Sequence, residues 1–116
     1  MQQITLTEQN IFEVINAKNE NYKLCFNYNQ ARQGWFVDIK SQNFKCFGIR
    51  LTSFPNILDQ WEKKLGFGLA VKCEKNSEAL FYEDFTSGRA NLFLLEPEDL
   101  EAQKVLWENL NLTDSI

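Results

Sequence analysis

Tyr22-Lys-Leu-Cys-Phe-Asn-Tyr-Asn-Gln-Ala-Arg-Gln-Gly-Trp-Phe-Val-Asp-Ile-Lys-Ser-Gln-Asn-Phe-Lys-Cys-Phe-Gly-Ile-Arg-Leu51 reads as three consecutive antiparallel strands joined by two short polar connections. Apolar side chains recur at every second position: Leu24, Phe26 and Tyr28, then Trp35, Val37 and Ile39, then Phe47, Ile49 and Leu51. Successive side chains of a strand point to opposite faces, so this alternation predicts a sheet with one core face and one wet face. No residue pattern of an active site falls within the block. What it specifies is architecture, which favours a structural role over an enzymatic one.

Working outward, Gln2–Leu6 and Ile11–Ala17 read as two further strands, with Lys18–Asn21 as a polar turn before the strand Tyr22–Tyr28. The next strands are Trp35–Lys40 and Cys46–Thr52. After Pro55 the period changes: Ile57, Leu58, Trp61 and Leu65 share one face of a helix of two or three turns. Gly66 and Gly68 end it and release the chain into a strand over Leu69–Glu74. Lys75–Ser77 is polar loop. Leu80–Phe85 reads either as a strand or as an aromatic-rich loop laying Phe81, Tyr82 and Phe85 over an open barrel end. Ala90–Leu95, bounded by Gly88 and Pro97, is a buried last strand. Pro97 then opens a helix with Glu98, Asp99 and Glu101 near its positive end, and Leu100, Leu106, Trp107 and Leu110 along one side. The expected fold is all-β: a small antiparallel barrel or sandwich of six to seven strands, with a short insertion helix and a C-terminal helix. Residues 1–96 form the barrel-like domain, and residues 97–116 a helix and tail packed on it or on a partner.

The 116 residues suffice for one domain, and 44% apolar residues with ten Phe supply a packed core. No apolar run approaches the roughly 20 residues of a membrane span. The opening residues have neither the basic nor the apolar region of a signal peptide, so Asn111-Leu112-Thr113 is read as a chance glycosylation match. Cys25, Cys46 and Cys73 are odd in number and lack Cys-x-x-Cys spacing, which argues against a disulfide framework or a zinc site and for reduced, partly buried thiols. Histidine is absent from the sequence, which removes the commonest general base and metal ligand. Net charge is −4 but unevenly spread: residues 18–75 carry ten Lys/Arg against five Asp/Glu, and residues 76–116 two against nine. Such a split suits segments that face each other within the fold, or neighbours meeting charge to charge in an assembly.

Few residues invite a chemical reading. Glu83-Asp84 and Glu96-x-Glu98-Asp99 are the dense carboxylate groups, but adjacent acids in a loop and acids in a helix's first turn have simpler explanations than a glycosidase pair or a calcium loop. Gly66-Phe67-Gly68 follows a helix and precedes a strand, the reverse of a phosphate-cradling loop. Phe36, Phe44, Lys40, Lys45 and Arg50 have the composition of a single-strand nucleic-acid surface, against which stands ordinary packing and edge protection.

Three pieces of the strand block resemble the cyanophage baseplate plug family, small proteins at the centre of contractile tail baseplates. They are Phe26-Asn27-Tyr28-Asn29, Gly34-Trp35-Phe36-Val37-Asp38-Ile39 and Gly48-Ile49-Arg50-Leu51, in order and at similar spacing. Upstream, Gln9-Asn10-Ile11-Phe12-Glu13-Val14 resembles the family's opening strand. Downstream, Gly66–Val71 and Phe85–Leu95, with Gly88 and Arg89, resemble later segments, so the likeness spans about residues 2–96. The chain departs from the family in having Gln42-Asn43-Phe44 where an Asp-Gly turn is frequent, and in a longer helix after Pro97. The resemblance implies a virion structural protein, not an enzyme, that helps close or organise the tail's central channel beside hub, spike and tail-tube-initiating proteins, with self-association left open. It implies assembly in the host cytoplasm and no metal, nucleotide or other cofactor. Exposed at a turn tip, Phe44 is an expected contact with a neighbour, and Trp107 on the terminal helix is another.

Overall fold

In a computed structural model that describes residues 1–6, 11–74 and 78–103, the alternating block forms most of a four-stranded antiparallel sheet. Its order is β2 (Ile11–Ile15), β3 (Asn21–Asn29), β4 (Gly34–Lys40) and β5 (Lys45–Arg50). Pairing Leu24 with Ile39, Phe26 with Val37 and Tyr28 with Trp35 puts the predicted core face on one side. Tyr22, Leu24, Phe26, Trp35, Val37 and Ile39 are all buried there. A second, three-stranded sheet runs β1 (Gln2–Ile4), β7 (Ala90–Leu95), β6 (Gly68–Cys73), again antiparallel. Ile4, Leu92 and Val71 lie side by side across it and join the same core. The two sheets do not close on one another, so of the two expected all-β architectures the chain adopts the sandwich. The described residues thus comprise seven strands and two short helices.

The strict alternation breaks in β5. Val37 pairs with Ile49 and Ile39 with Cys46, so Phe47 and Gly48 together face the single residue Asp38. This is a β-bulge, in which one extra residue reverses the side-chain phase of a strand. Gly48 adopts φ +74°, and its N–H donates to Asp38 Oδ1 at 2.8 Å. Phe47, expected inside, is therefore turned outward and is 59% exposed. Leu51, beyond the bulge, is buried.

The insertion helix is shorter than its periodicity predicts. A 3-10 turn over Asp59–Trp61 runs into a single α-helical turn, α1 (Glu62–Leu65). The preceding residues are held to β6 instead: Ile57 N–H donates to the Leu69 carbonyl at 2.8 Å, and Asn56 Oδ1 accepts from Leu58 N and Leu69 N. Gly66, at φ 75°, closes α1 with a bond from its N–H to Glu62 O. Leu58 and Leu65 still reach the core, as their spacing requires. At the other end of the chain α2 (97–103) begins at Pro97, with Asp99 Oδ2 accepting from Glu96 N at 2.9 Å and Leu100 buried. Leu106, Trp107 and Leu110 lie outside the described residues, as does the polar stretch Lys75–Ser77.

Candidate functional site

The segment Leu80–Phe85 takes the loop alternative. It makes a 3-10 turn over Tyr82–Asp84 and caps the end of the sandwich where β3 and β4 meet. Tyr28 Oη donates to Leu80 O at 2.7 Å and Trp35 Nε1 to Tyr82 O at 3.2 Å, so two core aromatics hold the lid's backbone by their polar tips. The Tyr82 ring stacks on Trp35 at 5.3 Å, and Phe85 meets Trp35 edge-on at 6.1 Å. Tyr82 and Phe85 thus lie over the end as expected, whereas Phe81 points to solvent.

Asp84 fixes the lid. Its carboxylate accepts from Arg89 Nε at 2.9 Å and Arg89 Nη2 at 2.6 Å, and from Phe81 N at 2.9 Å. Arg89 also reaches the Glu78 carbonyl at 2.8 Å. The guanidinium holds the Asp84 carboxyl below its ordinary value; burial opposes the shift and the Phe81 N–H supports it. A buried carboxylate engaged this way is a fastener rather than a proton donor. Glu83 in the lid and Glu96 at the head of α2 flank opposite ends of β7, a strand about 20 Å long, so the carboxylates singled out from the sequence do not form a facing pair. Among the described residues no three His, Cys, Asp or Glu side chains gather closely enough to hold a metal.

The outer face of the four-stranded sheet has a different character. Glu13, Lys23, Lys40 and Lys45 are successive cross-strand partners, forming one row over all four strands. Arg32 and Arg50 place their guanidinium carbons 4.3 and 4.8 Å from the Phe36 ring centroid, and Arg50 donates to the Gln33 and Arg32 carbonyls. With two cations over it, Phe36 is only 6% exposed and offers no open ring for a base. Lys40, Lys45, Arg50 and Phe36 share this face, but Phe44 does not. It is half-buried rather than exposed, with Tyr22 and Trp61 edge-on at 6.2 and 6.4 Å. The exposed apolar residues of this face are Ile11, Ile15 and Phe47. Sequence reasoning missed all three: β2 is apolar in both phases, and Gly48, the mark of the bulge, sits inside a regular pattern. Trp107, the other expected contact, lies outside the described residues.

No curated protein matches the chain. A protein-family model described as "cyanophage baseplate Pam3 plug gp18" matches residues 1–113. That match carries the likeness seen over residues 2–96 through the C-terminal segment as well.

Proposed function

The chain belongs to the cyanophage baseplate Pam3 plug gp18 family, and from that membership we propose that it occupies the central hub and tube channel of a contractile tail, closing it before contraction. The family is a structural component of the virion's tail baseplate, and its members work among other baseplate proteins. In our reading the immediate neighbours are hub, spike and tail-tube-initiating proteins, the chain is assembled with them in the host cytoplasm, and it catalyses no reaction. Phe44, Trp107 and the exposed Phe47 are contact positions in this reading.

The observation that carries the proposal is the family match over nearly the full length. The physics agrees with it. A plug needs a stiff body and wide contact faces, and this chain has a continuous two-sheet core and a flat build, with extents of 46 × 37 × 21 Å. The buried Asp84 carboxylate and Arg89 are engaged in holding the chain's own lid. Cryo-electron microscopy of the baseplate tests the placement: two packed sheets of three and four strands are expected in channel density. A channel filled by other chains, with this one on the baseplate periphery, would overturn it.

A further inference from the structure

The lysine row on the outer face of the β2–β5 sheet is unfavourable in the isolated molecule. Lys23 is directly opposite Lys40, and Lys40 opposite Lys45. Like charges in directly opposite positions destabilise a sheet. All three are exposed, and the ion pairs among the described residues are Met1 with Asp99 and Arg89 with Asp84, neither of which touches the row. Glu13 faces Lys23 at one end, Asp38 shares the face two positions before Lys40 but accepts from Gly48 N, and Lys40 Nζ lies 5.5 Å from the Phe47 ring centroid, which leaves the face with a net positive charge. Around the row stand Ile11, Ile15 and Phe47, at 61%, 66% and 59% exposure. A positively charged face with large apolar residues set into it suits a partner surface that is acidic and partly apolar.

The chain carries such a surface itself. Glu96, Glu98 and Glu101 are exposed at and beside the start of α2, while Asp99 is engaged by the Met1 amino group at 2.8 Å. Within one molecule Glu101 borders a pocket with Lys18, Lys63 and Lys64, whereas Lys23, Lys40 and Lys45 stand on the face of their sheet turned away from the core and from the three-stranded sheet.

We propose that the outer β2–β5 face docks the acidic start of α2 of a second copy of this chain. The contact is heterologous, since different patches meet, so repeating it builds a ring or a head-to-tail stack rather than a closed two-fold dimer. The proposal concerns the purified chain and does not depend on its position in the baseplate.

Sedimentation velocity on the full chain tests it. At about 50 mM salt the weight-average mass rises with protein concentration, and at about 0.5 M salt, where screening is short-ranged, the association weakens by tenfold or more. Lys40→Glu with Lys45→Glu makes both patches acidic; Glu96→Lys with Glu98→Lys makes both basic. Each double variant alone is expected to weaken self-association by at least about tenfold, and an equimolar mixture to restore it, because each then supplies the patch the other lacks. Circular dichroism confirms that the variants are folded, and Glu96→Gln with Glu98→Gln serves if the reversals at the helix start unfold α2. Three results would overturn the proposal: a wild-type chain monomeric at low salt up to about 1 mM, double variants that associate like wild type, or a mixture that fails to recover. A monomer retained on a single-stranded oligonucleotide assigns the face to nucleic acid and also overturns it. None of these outcomes bears on virion membership, which is read on particles.

Discussion

Replacing Asn56 by alanine removes an acceptor that two buried donors share. Asn56 is 5% exposed, and its Oδ1 accepts from Leu58 N at 3.0 Å and Leu69 N at 3.2 Å. Orphaning a buried donor costs about 1–3 kcal/mol, so two donors with some water entry give about 3 kcal/mol for Asn56→Ala. That corresponds to a fall in Tm of roughly 10 °C for a domain of this size. Gly68 lies against the same side chain. A Cβ built there would be 2.6 Å from Asn56 Oδ1 and 2.8 Å from both Cγ and Nδ2, so Gly68→Ala must expel the amide and lose the same bonds. Gly68 has no positive φ, so in the Asn56→Ala background the added methyl meets no backbone strain and is neutral or stabilising by up to about 1 kcal/mol. The two costs therefore do not add, and the coupling energy is about 3–4 kcal/mol. Urea denaturation followed by circular dichroism on the two single variants and the double variant measures it, with exposed Asn43→Ala as a control within about 0.5 kcal/mol of wild type. If the double variant costs the sum of the singles, or if Asn56→Ala costs less than about 1 kcal/mol, the reasoning fails.

Gly48→Ala should cost about 1–2 kcal/mol through backbone strain alone, since φ is +74° and no atom lies within 4 Å of the new Cβ. Phe47→Ser, next to it, should cost no more than about 1 kcal/mol, because the ring is mostly in water and its close partner is the Lys40 ammonium, 5.5 Å from the centroid; a larger loss in the urea midpoint would place that ring in the core. Acid should loosen the lid. The folded Asp84 carboxyl titrates below its ordinary value of 3.8, so the stability it contributes is fully present above that value and is withdrawn as pH falls through the depressed one. Asp84→Asn should be less stable than wild type near neutral pH and should lose less on acidification, read from urea midpoints between about pH 7 and about pH 2; parallel curves for the two proteins would refute this.

Residues 22–51 made most of the four-stranded sheet legible because alternation is a local signal. Leu24, Phe26, Trp35, Val37 and Ile39 needed only their own spacing to be placed in the core. What stayed illegible depends on distant partners. Phe47 follows the alternating pattern in sequence, yet the extra residue opposite Asp38 reverses it. Phe44 looks stranded at a turn tip until Trp61, seventeen positions on, is folded beneath it. The lid over Trp35 rests on hydrogen bonds from Tyr28 and Trp35 and on the Asp84–Arg89 pair, contacts no window of the sequence contains. Helical spacing after Pro55 is genuine, but Asn56 competes for the first backbone donors and shortens the helix. Sheet closure is likewise non-local: strand pattern alone permits the barrel expected for residues 1–96 as well as a sandwich, and the two separate sheet orders decide for the sandwich.

Quantitative mass spectrometry of gradient-purified phage particles tests most directly whether this chain is a built-in part of the baseplate. The chain is expected in every preparation at a fixed copy ratio to the other baseplate proteins, unchanged by further purification. Particles that carry the full baseplate but lack the chain, with all of it left in the soluble lysate, would contradict the account.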